Sequence, residues 1–200
     1  MNAKAEQKER SHETILDSAA RLLRERGVAG ARVADVMQGA GLTVGGFYAH
    51  FASKEALIEE AIRRTGAVLR DRLFARLDEK PADDRAEVVL KRYLSAAHRD
   101  EYAQGCPLPA IVGEIGTTAP QFAGVLAEQL DTLTDELEAY LPPARPVPRR
   151  YLALGLVALM YGGLSLSRAL RGTPLSDEVL RACRAIGIFA ARGATRNVTG

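Results

Sequence analysis

The sequence contains few of the features that mark secreted, membrane-bound or metal-binding proteins. It has two cysteines, Cys106 and Cys183, too few for a disulfide framework and too few for a zinc site without histidine ligands. Its first ten residues are polar and lack the apolar segment of a signal peptide. The longest apolar stretch, residues 152–166, is shorter than the roughly 20 residues that span a bilayer. We therefore expect a cytoplasmic, reduced protein without a membrane partner.

The net charge is small but unevenly distributed. The chain has 27 basic and 25 acidic residues, which excludes a uniformly basic nucleic-acid coat. Residues 100–144 carry eight acidic side chains and no Lys or Arg, whereas residues 145–200 carry nine Arg and two acids. The two blocks can pair within or between chains, or form two solvated faces, and we favour the solvated faces. A nucleic-acid function must therefore depend on local geometry.

Strand-type alternation is nearly absent, and apolar residues recur at helical spacing along the chain. The 200 residues predict an all-α protein of about nine helices, with a three-helix head and a larger helical body. Capping residues and breakers set most of the boundaries. The predicted helices are 11–26 (capped by Ser11 and ended by Gly27), 33–38, 43–50, 54–77 (capped by Ser53), 83–97, one beginning at Cys106-Pro107, one beginning at Pro120, 149–170 and 177–192 (capped by Ser176).

Residues 33–51, VADVMQGAGLTVGGFYAHF, have the pattern of a helix-turn-helix: a short helix, a turn with glycine and a second short helix. Gly41 tolerates the unusual dihedral angles that such a turn requires. Thr43 can cap the second helix. Because Gly45 and Gly46 have no side chains, the exposed side of this helix is slim enough to enter a major groove about 12 Å wide.

These residues resemble a known family. The stretch 33–57 closely resembles the DNA-binding head of TetR-family transcriptional regulators, and the resemblance covers about residues 10–60. Its densest part is Gly-Phe-Tyr-x-His-Phe-x-x-Lys-Glu-x-Leu at residues 46–57. Arg32 departs from the pattern, because the family usually has Ser or Thr there as a helix cap. The resemblance implies an amino-terminal DNA-binding domain, 1–54, and a carboxy-terminal effector-binding and dimerisation domain, 55–200.

The resemblance also implies which residues contact DNA. Four matched positions carry a hydroxyl, a phenol, an imidazole and an ammonium group, all suitable donors to phosphate oxygens. The base-facing positions offer one valine and two glycines, which cannot form bidentate hydrogen bonds, so part of the specificity is left to DNA shape. The predicted phosphate contacts are Thr43, Tyr48, His50 and Lys54, the base-facing residues are Val44, Gly45 and Gly46, and the weaker backbone candidates are Arg32, Lys4, Lys8 and Arg10.

Catalytic and structural functions fit the sequence less well. It lacks a zinc-ligand cluster, the Glu-x-x-His pairs of di-iron bundles and a nucleophile–base pair. The glycines near Gly41 lack the preceding strand and the spacing of a dinucleotide-binding loop. Neither an enzyme nor a structural adaptor accounts for the bare second helix, so we expect no enzyme activity and no cofactor.

The last two predicted helices are the candidate homodimer surface. Residues 152–160 are apolar all round, so that the segment must be covered on every side. Gly155, Gly162 and Gly163 allow close helix approach. The alternative is that both helices form the core of one monomer. A dimer is expected because one recognition helix contacts only a few base pairs.

The resemblance implies a repressor that leaves its operator when a small molecule binds the carboxy-terminal domain. Each candidate contact residue can also be explained as core. These candidates are Tyr93, His98, Tyr102, Cys106, Phe122, Met160 and Tyr161. The alternative regulator is switched by oxidation or electrophile modification of Cys106. In that prediction Pro107 places Cys106 at a helix cap, where the helix dipole stabilises a thiolate, and His98 could assist.

Overall fold

The computed structural model describes residues 3–101, 105–143 and 147–192, and over these residues it contains helices and no β-strand. The predicted all-α class is confirmed. Within the described ranges, three 3-10 helices accompany the α-helices: Val44–Ala49, Ala82–Asp84 and Pro120–Phe122. The α-helices of the described residues are α1 (Ala3–Gly30), α2 (Val33–Gly39), α3 (Lys54–Phe74), α4 (Arg85–Tyr93), α5 (Ala96–Asp100), α6 (Leu108–Ile115), α7 (Ala123–Glu138), α8 (Arg149–Ala169) and α9 (Pro174–Arg192).

The described residues form two compact units. One unit takes the described residues of Met1–Leu69 and Tyr102–Gln129, and the other those of Arg70–Glu101 and Leu130–Gly200. These units are defined by packing alone. The division into a DNA-binding domain, 1–54, and an effector-binding domain, 55–200, concerns function and stays a prediction.

The core of the first unit is made by α1, α2, the 3-10 helix Val44–Ala49, α3 and α6. Ile15, Val36, Phe47, Ile58 and Ile111 are almost completely buried in one apolar cluster. Burying a side chain of this size stabilises the fold by about 1.5–3 kcal/mol. The cluster therefore fixes which side of each head helix faces outward.

The first helix begins eight residues earlier than predicted. It starts at Ala3, so Ser11 lies inside the helix and is not its cap. Residues 3–10 contain no breaker, and Glu6 and Arg10 pair across one turn at 3.7 Å, an arrangement that supports helix. Gly27, which was predicted to end the helix, instead kinks it with φ 70° and ψ −169°, and helical residues continue to Gly30.

The predicted helix over residues 83–97 is two helices in the structure. α4 ends at Tyr93, and Leu94 leaves the helical region with ψ 55°. Ser95 is extended, and its side chain accepts a hydrogen bond from the backbone N–H of His98 at 3.1 Å. A serine that caps a new helix competes with continuation of the old one, which explains the break.

Two further boundaries differ from prediction. α3 ends at Phe74 and not near Leu77, and Arg76 beyond it has a left-handed φ of 54°. α9 begins at Pro174, a residue favoured in the first helical turn, so Ser176 lies inside that turn. Its hydroxyl instead donates to the backbone carbonyl of Ser167 at 2.7 Å.

The acidic block pairs with arginines in the second unit. On α8, Arg150 hydrogen-bonds Asp131 and Asp135 of α7, and Arg149 lies 3.8 Å from Glu138. The preference for two solvated faces was therefore wrong for these residues. The pairs are exposed to solvent, so screening keeps their contribution to stability small.

A single chain leaves apolar residues of α8 and α9 exposed. The exposed fractions are 69% for Tyr151 and 70% for Phe189. At Gly163 an added Cβ would lie 2.9 Å from Cys183 Sγ, so the missing side chain lets α8 and α9 pack closely. At Gly155 and Gly162 an added Cβ would meet no described atom within 4 Å. The remaining large apolar residues exposed on the two helices are Leu154, Leu166, Leu175 and Ile186.

α8 is longer than the apolar stretch that the sequence outlines. Among the described residues it is the one helix whose length and composition would allow it to cross a membrane. Of its most apolar 18-residue window, 39% is buried. Core helices of soluble proteins pass the same criterion, so this is weak evidence for a membrane span.

Candidate nucleic-acid interface

The turn after α2 has the geometry of a Schellman cap. The N–H of Gly41 donates to the carbonyl of Gln38 at 3.0 Å, and the N–H of Leu42 donates to that of Met37 at 2.9 Å. Gly41 has φ +70°, the left-handed conformation that this cap requires. The prediction for Gly41 is confirmed, and the turn ends α2 sharply before the next helix.

The segment after the turn is a 3-10 helix, Val44–Ala49, with Thr43 at its N-cap position. The predicted side-chain cap is wrong, because Thr43 makes no cap hydrogen bond within the described part of the chain. Its hydroxyl is therefore not engaged in capping. At the start of α2, Arg32 likewise makes no side-chain cap bond to the residues described, as expected for an arginine in that position.

One side of the 3-10 helix is fixed in the core. Phe47 is 1% exposed, and its ring stacks on that of Phe51 at 5.8 Å between centroids. Because Phe47 and Phe51 belong to the same core cluster as Val36 and Met37, the orientation of the segment is set by packing. The opposite side must then face outward.

The outward side carries the predicted contact residues. Tyr48 is 79% exposed and Val44 is 52% exposed. Thr43, Gly45 and Arg32 are also exposed, whereas Gly46, His50 and Lys54 are half-buried. An added Cβ would meet no described atom within 4 Å at Gly45, and would lie 3.9 Å from Met37 Cε at Gly46. The predicted residues therefore lie on adjoining positions, and their contact with DNA stays a prediction.

The imidazole of His50 lies beside that of His12, with 6.2 Å between ring centroids. Its Nδ1 is buried without a hydrogen-bond partner among the described residues. Burial lowers the pKa of His50, and the charges of His12 and Lys8 lower it further. The ring is therefore neutral at pH 7, and a neutral imidazole with an unbonded Nδ1 can donate through Nε2.

The predicted basic contact residues among the first ten positions lie on the first turns of α1. Lys4, Lys8 and Arg10 are exposed there, and Arg10 is within 3.7 Å of Glu6. The structure thus gives these three residues a helical conformation. Their contact with the DNA backbone stays a prediction.

The predicted effector contacts fall in both units. Tyr93, His98, Met160 and Tyr161 belong to the second unit. The His98 ring packs edge-on against Tyr93 at 4.7 Å, and His98 Nδ1 donates to the Tyr93 carbonyl at 2.8 Å. Phe122 is in the core cluster of the first unit, and Tyr102 lies outside the described residues. The effector site stays a prediction.

Cys106 does not occupy the predicted cap. Pro107 is the N-cap residue of α6, so Cys106 precedes it by one position. The thiol is 1% exposed. Burial of this residue keeps reagents out.

Four long-range contacts in the first unit have no counterpart in the sequence analysis. His12 Nε2 lies 2.8 Å from Glu60 Oε1, and the carboxylate of Glu114 accepts from the N–H of Ala29 at 2.8 Å. Arg64 binds both Glu13 and Asp17. The members of these contacts are 47 to 85 residues apart, so no local pattern indicates them.

A short packed helix, a glycine turn and an outward-facing second helix define a helix-turn-helix head. Residues 15–61 match the family model described as "Bacterial regulatory proteins, tetR family". This stretch of the chain is therefore similar to the helix-turn-helix head of that family. Among the described residues, no group of three or more His, Cys, Asp or Glu side chains could hold a metal ion.

Curated relatives match the head region. The transcriptional repressor KstR2 of Mycobacterium tuberculosis is 42% identical over 62 residues, which are 31% of this chain and 29% of the relative. KstR2 of Rhodococcus jostii is 43% identical over 49 residues, 24% of each chain. The chain thus spans less than a third of the length of these relatives.

Solved structures match over most of the chain. A TetR regulator from Chloroflexus aurantiacus is 26% identical with a TM-score of 0.75, covering 92% of this chain and 94% of its own. The reduced form of E. coli NemR is 21% identical with a TM-score of 0.78, covering 92% and 99%. Over the described residues, the fold is that of TetR-family regulators.

Proposed function

We propose that this chain is a DNA-binding transcriptional regulator, a repressor that leaves its operator when a small molecule binds the carboxy-terminal domain. The observation that carries the proposal is that two successive residues of one short helix face opposite sides: Phe47 is 1% exposed and Tyr48 is 79% exposed. Packing of Phe47 in the core fixes the helix so that Tyr48 faces outward. The matched relatives, which are repressors, support the sign of regulation.

The outward residues take separate roles at the DNA. Thr43, Tyr48, His50 and Lys54 donate to phosphate oxygens, and Arg32 adds a backbone contact. Val44 contacts a thymine methyl group, whereas Gly45 and Gly46 let the helix backbone approach the bases. Since few side chains can read bases, groove shape carries part of the specificity.

The regulator acts as a homodimer through α8 and α9. The exposed apolar residues on these helices, such as Phe189 at 70% and Ile186 at 60%, would be covered by a second copy. Open space at Gly155 and Gly162 allows the partner helix to approach closely. A dimer then presents two heads to half-sites about 34–36 Å apart or a multiple of this distance.

The effector occupies the domain of residues 55–200 and favours one arrangement of the two heads. Of the candidate contacts, Tyr93 and His98 already touch each other. The alternative switch, modification of Cys106, has less support because the thiol is buried. Cytoplasmic localisation follows from the proposed contact with DNA.

Binding to DNA tests the proposal directly. The full chain is titrated onto duplex DNA from beside its gene over a series of salt concentrations, and a steep loss of affinity with salt is expected. Gly45→Glu should abolish binding by placing a carboxylate in the groove. Gly113→Glu is the matched control, since it also adds the charge at an exposed glycine with open space. Normal binding by Gly45→Glu would overturn the assigned docking side.

A further inference from the structure

The segment that follows the 3-10 helix is held from the side by His12 of α1. The His12 ring stacks on Phe51 with 4.5 Å between centroids and 19° between planes. It also lies 6.2 Å from the ring of His50. Phe51 in turn donates its backbone N–H to the Phe47 carbonyl at 3.1 Å. His12 therefore stacks on Phe51 and lies beside His50, the two residues that directly follow the 3-10 helix.

Glu60 of α3 fixes the orientation of that ring. Its Oε1 lies 2.8 Å from His12 Nε2, and a carboxylate acceptor requires a hydrogen on that nitrogen. The side chains of both residues are only partly buried, at 23% and 44% exposed. Their contribution to the apolar core is small, whereas the His12 ring stacks on Phe51 in a defined geometry.

We propose that His12 and Glu60 form a positioning pair that holds the carboxyl end of the DNA-contacting 3-10 helix in its docking orientation. Neither residue contacts DNA in this proposal, which rests on the proposed DNA-binding function. The hydrogen bond to Glu60 orients the imidazole, the imidazole positions Phe51, and Phe51 sets where Tyr48 and His50 stand. Loss of either side chain therefore weakens DNA binding.

The sign of the effect at Glu60 separates positioning from simple electrostatics. Removing a carboxylate near a DNA-binding surface should strengthen binding if only charge matters. Under the positioning proposal, Glu60→Ala weakens binding about tenfold because the acceptor is lost. Glu60→Gln keeps an oxygen acceptor without the charge, so it should bind as well as the unmodified protein or better. Tighter binding by Glu60→Ala would overturn the proposal.

A second variant set tests whether the two residues act together. His12→Ala should weaken binding about as much as Glu60→Ala, and the double variant should be no weaker than either single one. The slope of affinity against salt should stay unchanged in all three, whereas Lys54→Ala should reduce it by about one phosphate contact. A reduced slope in His12→Ala would show direct phosphate contact and overturn the positioning role.

Arg64→Gln is the matched control for a weakened joint between α1 and α3. It loses contacts to Glu13 at 2.6 Å and Asp17 at 2.8 Å across the same two helices. We expect it to keep full DNA affinity at equal folded fraction, measured by circular dichroism. If the unmodified protein binds DNA and all variants bind equally, only the positioning pair fails. If the unmodified protein ignores DNA, the proposed function fails first.

Discussion

The carboxylate of Glu114 accepts a hydrogen bond from the backbone N–H of Ala29 at 2.8 Å. Its other oxygen fills the space in which a side chain at Gly27 would start, because a Cβ there would lie 1.8 Å from Glu114 Oε1. α6 is thus fitted against the break at the end of α1 through a missing side chain. A displacement of α6 would act directly on α1, the first helix of the head.

This fit predicts unequal costs for two glycine substitutions. Gly27→Ala combines a glycine-only backbone conformation, φ 70° and ψ −169°, with a clash against Glu114 and the Ala110 carbonyl. We expect it to lower the free energy of unfolding by about 3 kcal/mol or more. Gly41→Ala has the same φ but open space, so it should cost about 1 kcal/mol. Equal losses in urea denaturation would contradict the fit.

Alanine substitutions at Ser53 and Thr43, the residues that precede two helices of the head, should change stability by different amounts. Ser53 Oγ accepts from the N–H of Ala56 at 3.1 Å, so Ser53→Ala should lower the free energy of unfolding by about 1 kcal/mol. Thr43 makes no such bond to the described residues. Thr43→Ala should therefore leave stability unchanged and weaken DNA binding. A stability loss at Thr43 equal to that at Ser53 would show that its hydroxyl caps after all.

His98 makes stability depend on pH. Burial lowers the pKa of His98 from 6.5 to about 4, against the raising effect of its bond to the Tyr93 carbonyl. The folded protein therefore binds this proton less readily than the unfolded chain, and stability falls as the pH drops from 6.5 toward 4. Between pH 7.5 and pH 5 the expected loss is about 2 kcal/mol.

His98→Gln removes the titrating group and can still donate to the Tyr93 carbonyl. Urea denaturation of this variant at pH 7.5 and pH 5 should show a smaller pH dependence than the parent, and the remainder includes His50, whose pKa is also lowered. The acidic groups with lowered pKa values, Glu87 and Asp100, titrate below this window. A variant that still loses stability like the parent would mean that another group is responsible.

The proposed dimer can be split by charge. Phe189→Glu places a carboxylate on the exposed apolar surface of α9, and the sedimentation coefficient should then fall to that of a monomer. DNA affinity should fall with it, since two linked heads bind better than one. Val68→Glu, at a side chain of α3 that is 40% exposed, is the control and should remain dimeric. A dimeric Phe189→Glu would place the interface elsewhere.

Thiol labelling tests the alternative proposal that modification of Cys106 switches the regulator. Cys106 is 1% exposed, so in the folded protein it should react with a disulfide reagent more slowly than a model thiol. Cys183→Ser removes the other thiol, so that all labelling reports on Cys106. Burial also raises the pKa of the Cys183 thiol, which slows its own reaction. Rapid labelling of Cys106 accompanied by release of DNA would instead establish the switch.

The head could be predicted from the sequence because its determinants are local. Apolar spacing indicated α2, Gly41 indicated the turn, and Ser53 indicated the start of α3. The 3-10 character of Val44–Ala49 could not be predicted, since glycine-rich segments allow either hydrogen-bond spacing. The beginning of α1 was predicted at Ser11 because serine is a common N-cap residue. A serine does not prevent a helix from continuing through it, however, and nothing in residues 3–10 opposes a helix.

Contacts between residues far apart in the sequence could not be predicted. The bond between His12 and Glu60 joins residues 48 positions apart, and that between Ala29 and Glu114 joins residues 85 apart. The candidate effector contacts share only their residue types, which suit ligand contact and core packing alike. Side-chain type does not tell which residues share a cavity, so burial of Phe122 in the core cluster could not be distinguished from ligand contact.

The open space at Gly45 makes this head a convenient scaffold for retargeting. Under the proposed docking on DNA, an arginine, asparagine or glutamine introduced there would add a base-reading group without displacing any described atom within 4 Å of its Cβ. Each such group recognises a different base edge. New operator preferences could thus be engineered one side chain at a time, while Phe47 and its neighbours keep the presentation of that side chain constant.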